Sequence, residues 1–216
     1  GYHRINNVDH LPLTLSTEEF DAQMQYLQTN GYSAITLDEL VSYIRDKKDL
    51  PYKSVVITFD DGYEDNFINA FPILKKYNFK ATIYLVPNQS INHWEEKNTS
   101  VLSNLLNNEQ ILQMQNTGLI EFGSHTLSHV NLSTINDEQL LIELKKSKEE
   151  IEKITRKECE AFAYPYGKFD DKIIQAVEEI GYKNATVVKR GLFEKNDNPF
   201  IIKRIGILGT ESFVDF

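Results

Sequence analysis

Five residues stand out for the chemistry that their types and spacing permit. Asp60 and Asp61 are adjacent carboxylates closing the β-branched run Val55-Val56-Ile57-Thr58-Phe59, and Gly62 follows them. Neighbouring side chains at a strand end diverge, so one carboxylate can bind a metal while the other faces a substrate. His125 and His129 lie four apart, directly after the run Leu119-Ile120-Glu121-Phe122-Gly123. A helical turn there would bring both imidazoles to one side, as two ligands of one metal require. Tyr166, in Tyr164-Pro165-Tyr166-Gly167, ends a third such run. Alone, Asp-Asp-Gly reads equally well as a turn and the histidine pair as surface residues. Together, after separate core strands in a chain of five histidines, they select an open metal site with positions left for water and substrate.

The elements that must position these residues alternate along the chain. Ser16-Thr17-Glu18-Glu19 is a capping box opening a helix with Phe20, Met24 and Leu27 on its apolar side. A strand near 33–36 and a helix over 37–47 follow, then the buried strand 55–59, a helix over 66–77 and a second buried strand, 81–86. The polar stretch 88–107 holds the only tryptophan and reads as a long loop; within it His93-Trp94-Glu95-Glu96 fits either a lid over substrate or a plain surface excursion. Helices over 109–116, 137–155 and 170–180 alternate with strands at 119–123 and 160–164, and short strands near 184–188 and 203–207 complete the pattern. Such alternation is the signature of βα units around a parallel sheet or barrel. In these architectures the loops after the carboxyl ends of strands build the site, which puts Asp60, Asp61, His125, His129 and Tyr166 on one face.

A chain of 216 residues, 41% hydrophobic and 25% charged, suffices for one core, so a single domain over 1–216 is expected. Its 23 basic and 32 acidic residues give a net charge of −9 with no basic cluster, which argues against nucleic acid as a partner. The lone Cys159 lies beside Ala161-Phe162-Ala163 and reads as a buried structural thiol. No apolar run reaches the roughly 18 residues of a membrane span. The abrupt opening Gly1-Tyr2-His3-Arg4 is that expected of a chain truncated at both ends, with a signal or anchor removed.

Thr58-Phe59-Asp60-Asp61-Gly62, His125-Thr126-Leu127-Ser128-His129 and Tyr164-Pro165-Tyr166-Gly167, in this order, resemble the first three motifs of the polysaccharide deacetylase family, also called the NodB-homology domain or carbohydrate esterase family 4. The likeness runs from about Val55 to the chain end. The opening Tyr2-His3-Arg4-Ile5, the Phe20 helix and Ile35-Thr36-Leu37 are similar to the branch that deacetylates poly-N-acetylglucosamine of the biofilm matrix. The resemblance implies an α/β fold, a distorted (β/α) barrel of about seven parallel strands. It implies a divalent metal, usually Zn, although two imidazoles and a carboxylate also suit Co, Ni or Fe. It makes Asp60 the general base, Asp61, His125 and His129 the metal ligands, and the backbone N–H of Tyr166 an oxyanion donor. The implied reaction is hydrolysis of N-acetyl groups on an extracellular or cell-envelope polysaccharide by a monomer. Poly-β-1,6-N-acetylglucosamine comes first as substrate, peptidoglycan or chitooligosaccharide second. A glycan-binding module that retains the metal site with weak catalysis is the competing reading.

Two departures from the family pattern matter. Ala161-Phe162-Ala163-Tyr164-Pro165 lacks the arginine that orients the base in many members; Arg204 is the candidate substitute, although a surface arginine paired with an acid reads the same. No histidine follows His129 to serve as the general acid; His3 is the candidate to project into the site, and a structural histidine is the alternative. Asp170 and Asp171 fit either a site role or, for Asp170, a helix N-cap. Tyr63, Pro165, Tyr166, His3 and Arg204 are the candidate substrate-binding residues, with Tyr63 and Tyr166 supplying apolar surface for a sugar ring.

Overall fold

The computed structural model describes residues 1–9, 11–95, 102–210 and 216. Glu96 of the candidate lid therefore lies outside the described residues. Five strands, β5 (Thr58–Phe59), β6 (Ala81–Leu85), β7 (Ile120–Ser124), β8 (Ala161–Ala163) and β9 (Asn184–Thr186), form one parallel sheet in chain order. Two parallel pairs precede it, β1 (Arg4–Ile5) with β2 (Thr14–Leu15) and β3 (Ser33–Ile35) with β4 (Ser54–Val56). Only Ile57 separates β4 from β5, and its carbonyl accepts the Thr82 N–H at 2.9 Å. The extended run 54–59 thus changes partners midway, from β3 to β6, which is how the sheet curls.

The expected α/β class with parallel strands holds, but the sheet joins five strands where seven were expected. The shortfall lies partly in 203–207, which forms no strand: its amides pair with different neighbours, Arg204 N–H with Lys189 O at 3.1 Å and Ile207 N–H with Gly1 O at 2.8 Å. Only Ile202 makes a parallel bridge to β9, at Thr186. On the other side Tyr2 bridges Phe59, with Tyr2 N–H to Thr58 O at 2.8 Å and Asp60 N–H to Tyr2 O at 2.9 Å. Residues 1–3 therefore lie between β5 and 205–207, held on both edges by backbone hydrogen bonds.

The helices follow the sequence signals closely. They are α1 (Thr17–Thr29), α2 (Leu37–Arg45), α3 (Phe71–Tyr77, entered through a π-turn at Asn66–Ala70), α4 (Asn108–Gln115), α5 (Asp137–Thr155) and α6 (Asp171–Ile180). Reciprocal capping boxes start four of them, Ser16 with Glu19, Thr36 with Glu39, Asn107 with Gln110 and Asn136 with Gln139, each worth about 1 kcal/mol. Asp170 is the N-cap of α6, accepting the Ile173 N–H at 2.8 Å.

Both faces of the sheet are buried, which explains its near-continuous apolar strands. Ile83, Leu85 and Phe162 pack in one cluster with Met24, Leu74, Ile111, Leu144 and Val177 of the helices. The alternate residues Tyr84, Ala161 and Ala163 join Ile35, Leu37, Leu40 and Ile202 on the opposite side. That side is tight at Gly123, where a Cβ would lie 2.7 Å from Tyr84 Cδ1 and 2.8 Å from the Ala161 carbonyl. Cys159 is buried, and burial pushes its thiol up, as befits a packing residue.

Candidate active site

Strand polarity brings the candidate residues together. Asp60 and Asp61 follow β5, His125 follows β7, and Pro165 and Tyr166 follow β8, all at carboxyl ends. The His125 N–H donates to Leu85 O at the end of β6 at 2.8 Å, tying the third loop to its neighbour. Asp61 (φ 72°) and Gly62 (φ 71°) are both left-handed, so the chain turns sharply and the two carboxylates part. At Gly62 a Cβ would also meet Leu85 Cδ2 at 2.8 Å, so this position needs glycine twice over.

Asp61 Oδ1 faces two imidazoles, 3.2 Å from His129 Nε2 and 3.6 Å from His125 Nε2. All three residues are buried, and Asp61 Oδ1 has no hydrogen-bond partner. The Nδ1 atoms are engaged elsewhere: that of His125 lies 2.8 Å from Ala163 O, and that of His129 lies 3.2 Å from the Tyr166 hydroxyl. Donation from His125 Nδ1 to a carbonyl leaves its Nε2 as a lone pair, the state a metal ligand requires. Burial, with His129 adding to it, pushes the His125 pKa down to about 4, so the ring is neutral at pH 7. Burial would raise the Asp61 carboxyl, yet His129, His3 and His125 together hold it below the usual carboxylate range. One orphaned carboxylate oxygen and two imidazole nitrogens within 4.8 Å of one another are a donor set that fits a divalent cation.

The helical turn expected at 125–129 is absent. Thr126 (φ 67°) and His129 (φ 57°) are left-handed, and the segment is a bent loop that brings the imidazoles together with ring centroids 4.8 Å apart. A residue with no sequence signal holds this loop. Glu143 of α5 accepts Leu127 N–H at 2.9 Å, Ser128 N–H at 3.0 Å and Ser128 Oγ at 2.6 Å. An acid inside a helix among other charged residues looks like a solvated face, and only the tertiary contact distinguishes it.

Asp60 has a different partner. Arg204 grips it in a two-pronged hydrogen bond, Nη1 to Oδ1 at 2.6 Å and Nη2 to Oδ2 at 2.8 Å, and Nη1 also donates to Thr58 Oγ1 at 3.0 Å. Burial would raise the Asp60 pKa, but the Arg204 charge and hydrogen bonds, helped by His3 and His125, outweigh it and hold the carboxyl well below its ordinary range. His3 Nε2 lies 3.8 Å from Asp60 Oδ2, and the His3 side chain is a quarter exposed. The segment carrying His3 is anchored by Tyr2, whose ring packs on Phe20 and Phe59 and whose hydroxyl donates to Gln23 at 2.8 Å.

Of the candidate substrate contacts, Tyr166 sits on the rim, 52% exposed, with a left-handed backbone (φ 59°). Pro165 is buried beside it. Tyr63 is not on the rim: it is fully buried beneath the Arg4 guanidinium, 4.1 Å from the ring centroid. Trp94 comes from the long loop, and its ring lies on the His129 imidazole, centroids 4.5 Å apart at 20°.

The chain is similar to known proteins in sequence and in fold. Residues 47–185 match the family model described as polysaccharide deacetylase. A poly-β-1,6-N-acetyl-D-glucosamine N-deacetylase of Staphylococcus aureus is 31% identical over 200 residues, covering 89% of this chain and 67% of its own. A Streptococcus pyogenes deacetylase, PplD, solved in complex with acetate, superposes with a TM-score of 0.87 at 27% identity, covering 99% of this chain and 93% of that one. A polysaccharide deacetylase from Bacillus cereus superposes at 0.82 and 31% identity, covering 99% of this chain and 65% of that one. Matched through its motif-bearing strands and over nearly its whole length, the chain belongs to the polysaccharide deacetylase family.

Proposed function

We propose that the protein is a metal-dependent N-deacetylase of an extracellular or cell-envelope polysaccharide built of N-acetylglucosamine, with the poly-β-1,6-linked polymer as first substrate. The observation that carries this reading is the pairing of an orphaned Asp61 oxygen and two Nε2 atoms with a separate, ionised Asp60 beside them. The Staphylococcus aureus relative, named for that polymer, supports the choice of substrate.

Asp61, His125 and His129 would hold the cation, with Zn, Co, Ni and Fe all compatible with the donors. When bound, it supplies Lewis acidity toward the acetyl carbonyl and toward water. Asp60, kept ionised and aimed by Arg204, accepts the proton of the attacking water. The Tyr166 backbone N–H is assigned to the developing oxyanion. His3, 3.8 Å from Asp60 with part of its surface open, delivers a proton to the departing sugar amine. Acetate and a free amine result. A module that only bound glycan would have no use for a buried arginine aligning an uncoordinated carboxylate.

Acetate release from poly-β-1,6-N-acetylglucosamine by chelator-stripped protein, with and without added Zn, Co or Ni, tests the reading. Metal-dependent release is expected. No release with any metal, on protein shown to bind one, would refute it, and a panel including peptidoglycan and chitooligosaccharides ranks the substrates.

A further inference from the structure

The loop between β6 and α4 is tied down from below by charge. Arg4, almost wholly buried, forms an ion pair with Glu95 and donates from Nε to Ser103 Oγ at 3.1 Å. Asn92 Nδ2 donates to the same Glu95 carboxylate at 2.5 Å, and Asn92 Oδ1 accepts the Ser103 N–H at 2.6 Å. Both strands of the loop are thereby clamped to one buried guanidinium, and antiparallel bridges Ile91 to Asn104 and Tyr63 to Leu105 continue the clamp. A largely buried ion pair with further hydrogen bonds fixes geometry more than it adds stability. What this one fixes is the residue next to Glu95.

Trp94 is set down parallel on His129. Tyr166 meets the same imidazole edge-on, centroids 4.8 Å apart at 73°, and half its surface is exposed. The two large rings thus flank the same histidine, one stacked roughly parallel on it and one roughly upright. Trp94 is half-buried. A half-open aromatic corner has the shape and polarity that the C–H face of a pyranose ring requires, and an indole clamped in advance loses little entropy when it binds.

We propose that Trp94, positioned by the Arg4 and Glu95 ion pair, is a specificity-determining wall of the substrate cleft that stacks on a sugar ring of the polysaccharide beside Tyr166. The proposal rests on the deacetylase reading above. It makes the described segment 92–95 a selector of carbohydrate, with Glu95 a positioning residue and Trp94 a contact. The effect belongs to substrates that carry a sugar ring and not to the acyl group itself.

Trp94 is the only tryptophan in the chain, so its fluorescence reports on the cleft without any turnover. The first measurement titrates β-1,6-linked N-acetylglucosamine oligomers into metal-loaded Asp60→Asn protein and follows emission. A saturable change in intensity or wavelength is expected; none across the range in which the parent enzyme saturates would overturn the proposal. The second compares Trp94→Ala and Trp94→Phe with the parent on the oligomer and on p-nitrophenyl acetate, which has no sugar. The alanine variant should raise KM for the oligomer about tenfold, the phenylalanine variant should recover most of that, and the loss on the oligomer should exceed the loss on the small ester by about that factor. Equal losses on both substrates would overturn the proposal, leaving Trp94 a mere support for His129. Glu95→Gln, which keeps the shape and removes the charge, should shift the emission to the red and raise KM in the same direction. Failure of the deacetylase reading would show separately, as a parent protein that releases no acetate from any oligomer, while the emission titration still decides whether Trp94 meets sugar.

Discussion

Arg204 reaches across 144 positions of sequence to place one guanidinium nitrogen on each oxygen of Asp60, at 2.6 and 2.8 Å. Its side chain is 10% exposed and that of Asp60 is 5% exposed, so the fork works in a largely water-free setting. Two parallel charge-assisted bonds fix both the ionisation and the plane of the carboxylate, which a single lysine ammonium would not do.

Arg204→Lys should therefore keep the charge and lose the plane. Acetate release is expected to fall by about one to two orders of magnitude with the fold intact, while Arg204→Ala also destabilises by about 3–5 kcal/mol because Asp60 is left buried and unpaired. Initial rates and urea unfolding of both variants check this. Parental activity in the lysine variant would remove the fork from the mechanism.

Asp60→Asn should cost about 10² to 10⁴ in rate, the range of general-base catalysis, and leave metal affinity nearly unchanged. Asp61→Asn or His125→Ala should do the opposite first, removing one of three donors. Calorimetric titration of Zn against each variant separates the two roles. Since a ligand at a hundred times its Kd stabilises by about 2.7 kcal/mol, Zn should raise the melting temperature of the parent and not that of Asp61→Asn. An equal rise in both would contradict the ligand assignment.

Glu143→Ala leaves two backbone N–H groups and the Ser128 hydroxyl of the histidine loop without their shared acceptor. Because this anchor holds the loop between the two histidines, metal affinity is expected to drop about 10-fold or more, with α5 intact by circular dichroism. Competitive titration against a chromophoric chelator gives the number. Unchanged affinity would show that the loop holds itself.

Stability should also depend on pH at the opposite end of the sheet. The Glu121 carboxylate accepts the Asp38 N–H at 3.1 Å and the Thr82 hydroxyl at 2.9 Å, capping α2 from β7, and Asn184 donates to Asp38 Oδ1 at 3.2 Å. Burial, then the charges of Glu121 and Glu160, push the Asp38 carboxyl up to about 8. A carboxyl raised above its unfolded value of 3.8 is protonated in the native state and ionised in the unfolded one between these two pH values. Its stabilising contribution is thus complete below about 4 and is lost as pH rises to about 8. Asp38→Asn should flatten this slope, read as urea midpoints at pH 5, 7 and 9. A parallel pH dependence in parent and variant would contradict the assignment.

Local signals carried most of the fold. The apolar runs ending in Asp60 and at Gly123, the capping boxes at Ser16 and Asn136 and the stop at Gly181 each act within a few residues, and each marks an observed boundary. The convergence of Asp61, His125 and His129 followed from strand polarity alone. What stayed hidden depends on distance or on backbone conformation that side chains do not announce. Thr126 and Tyr166 carry no signal of a left-handed φ and Asp61 and His129 only a weak one, so the histidine loop looked helical. The grip of Glu143 on that loop, the stack of Trp94 on His129 and the clamp from Arg4 to Glu95 join segments 15 to 91 residues apart. Tyr63 looked like a rim residue because an aromatic beside a motif reads alike above and below the site.

The strand-like segment of residues 1–4 has a consequence for the order in which the site can be made. Tyr2 lies along β5, His3 turns toward Asp60, Arg4 carries the long loop, and Gly1 is bonded to Ile205 and Ile207. Residues 1–4 are thus locked in place by residues synthesised some two hundred positions later. Contacts so far apart in sequence form late and slowly. On the roles proposed above, a nascent chain lacking Arg204 would carry all three proposed cation ligands and no aligned Asp60, so competence to bind an ion would precede competence to turn over substrate during biosynthesis.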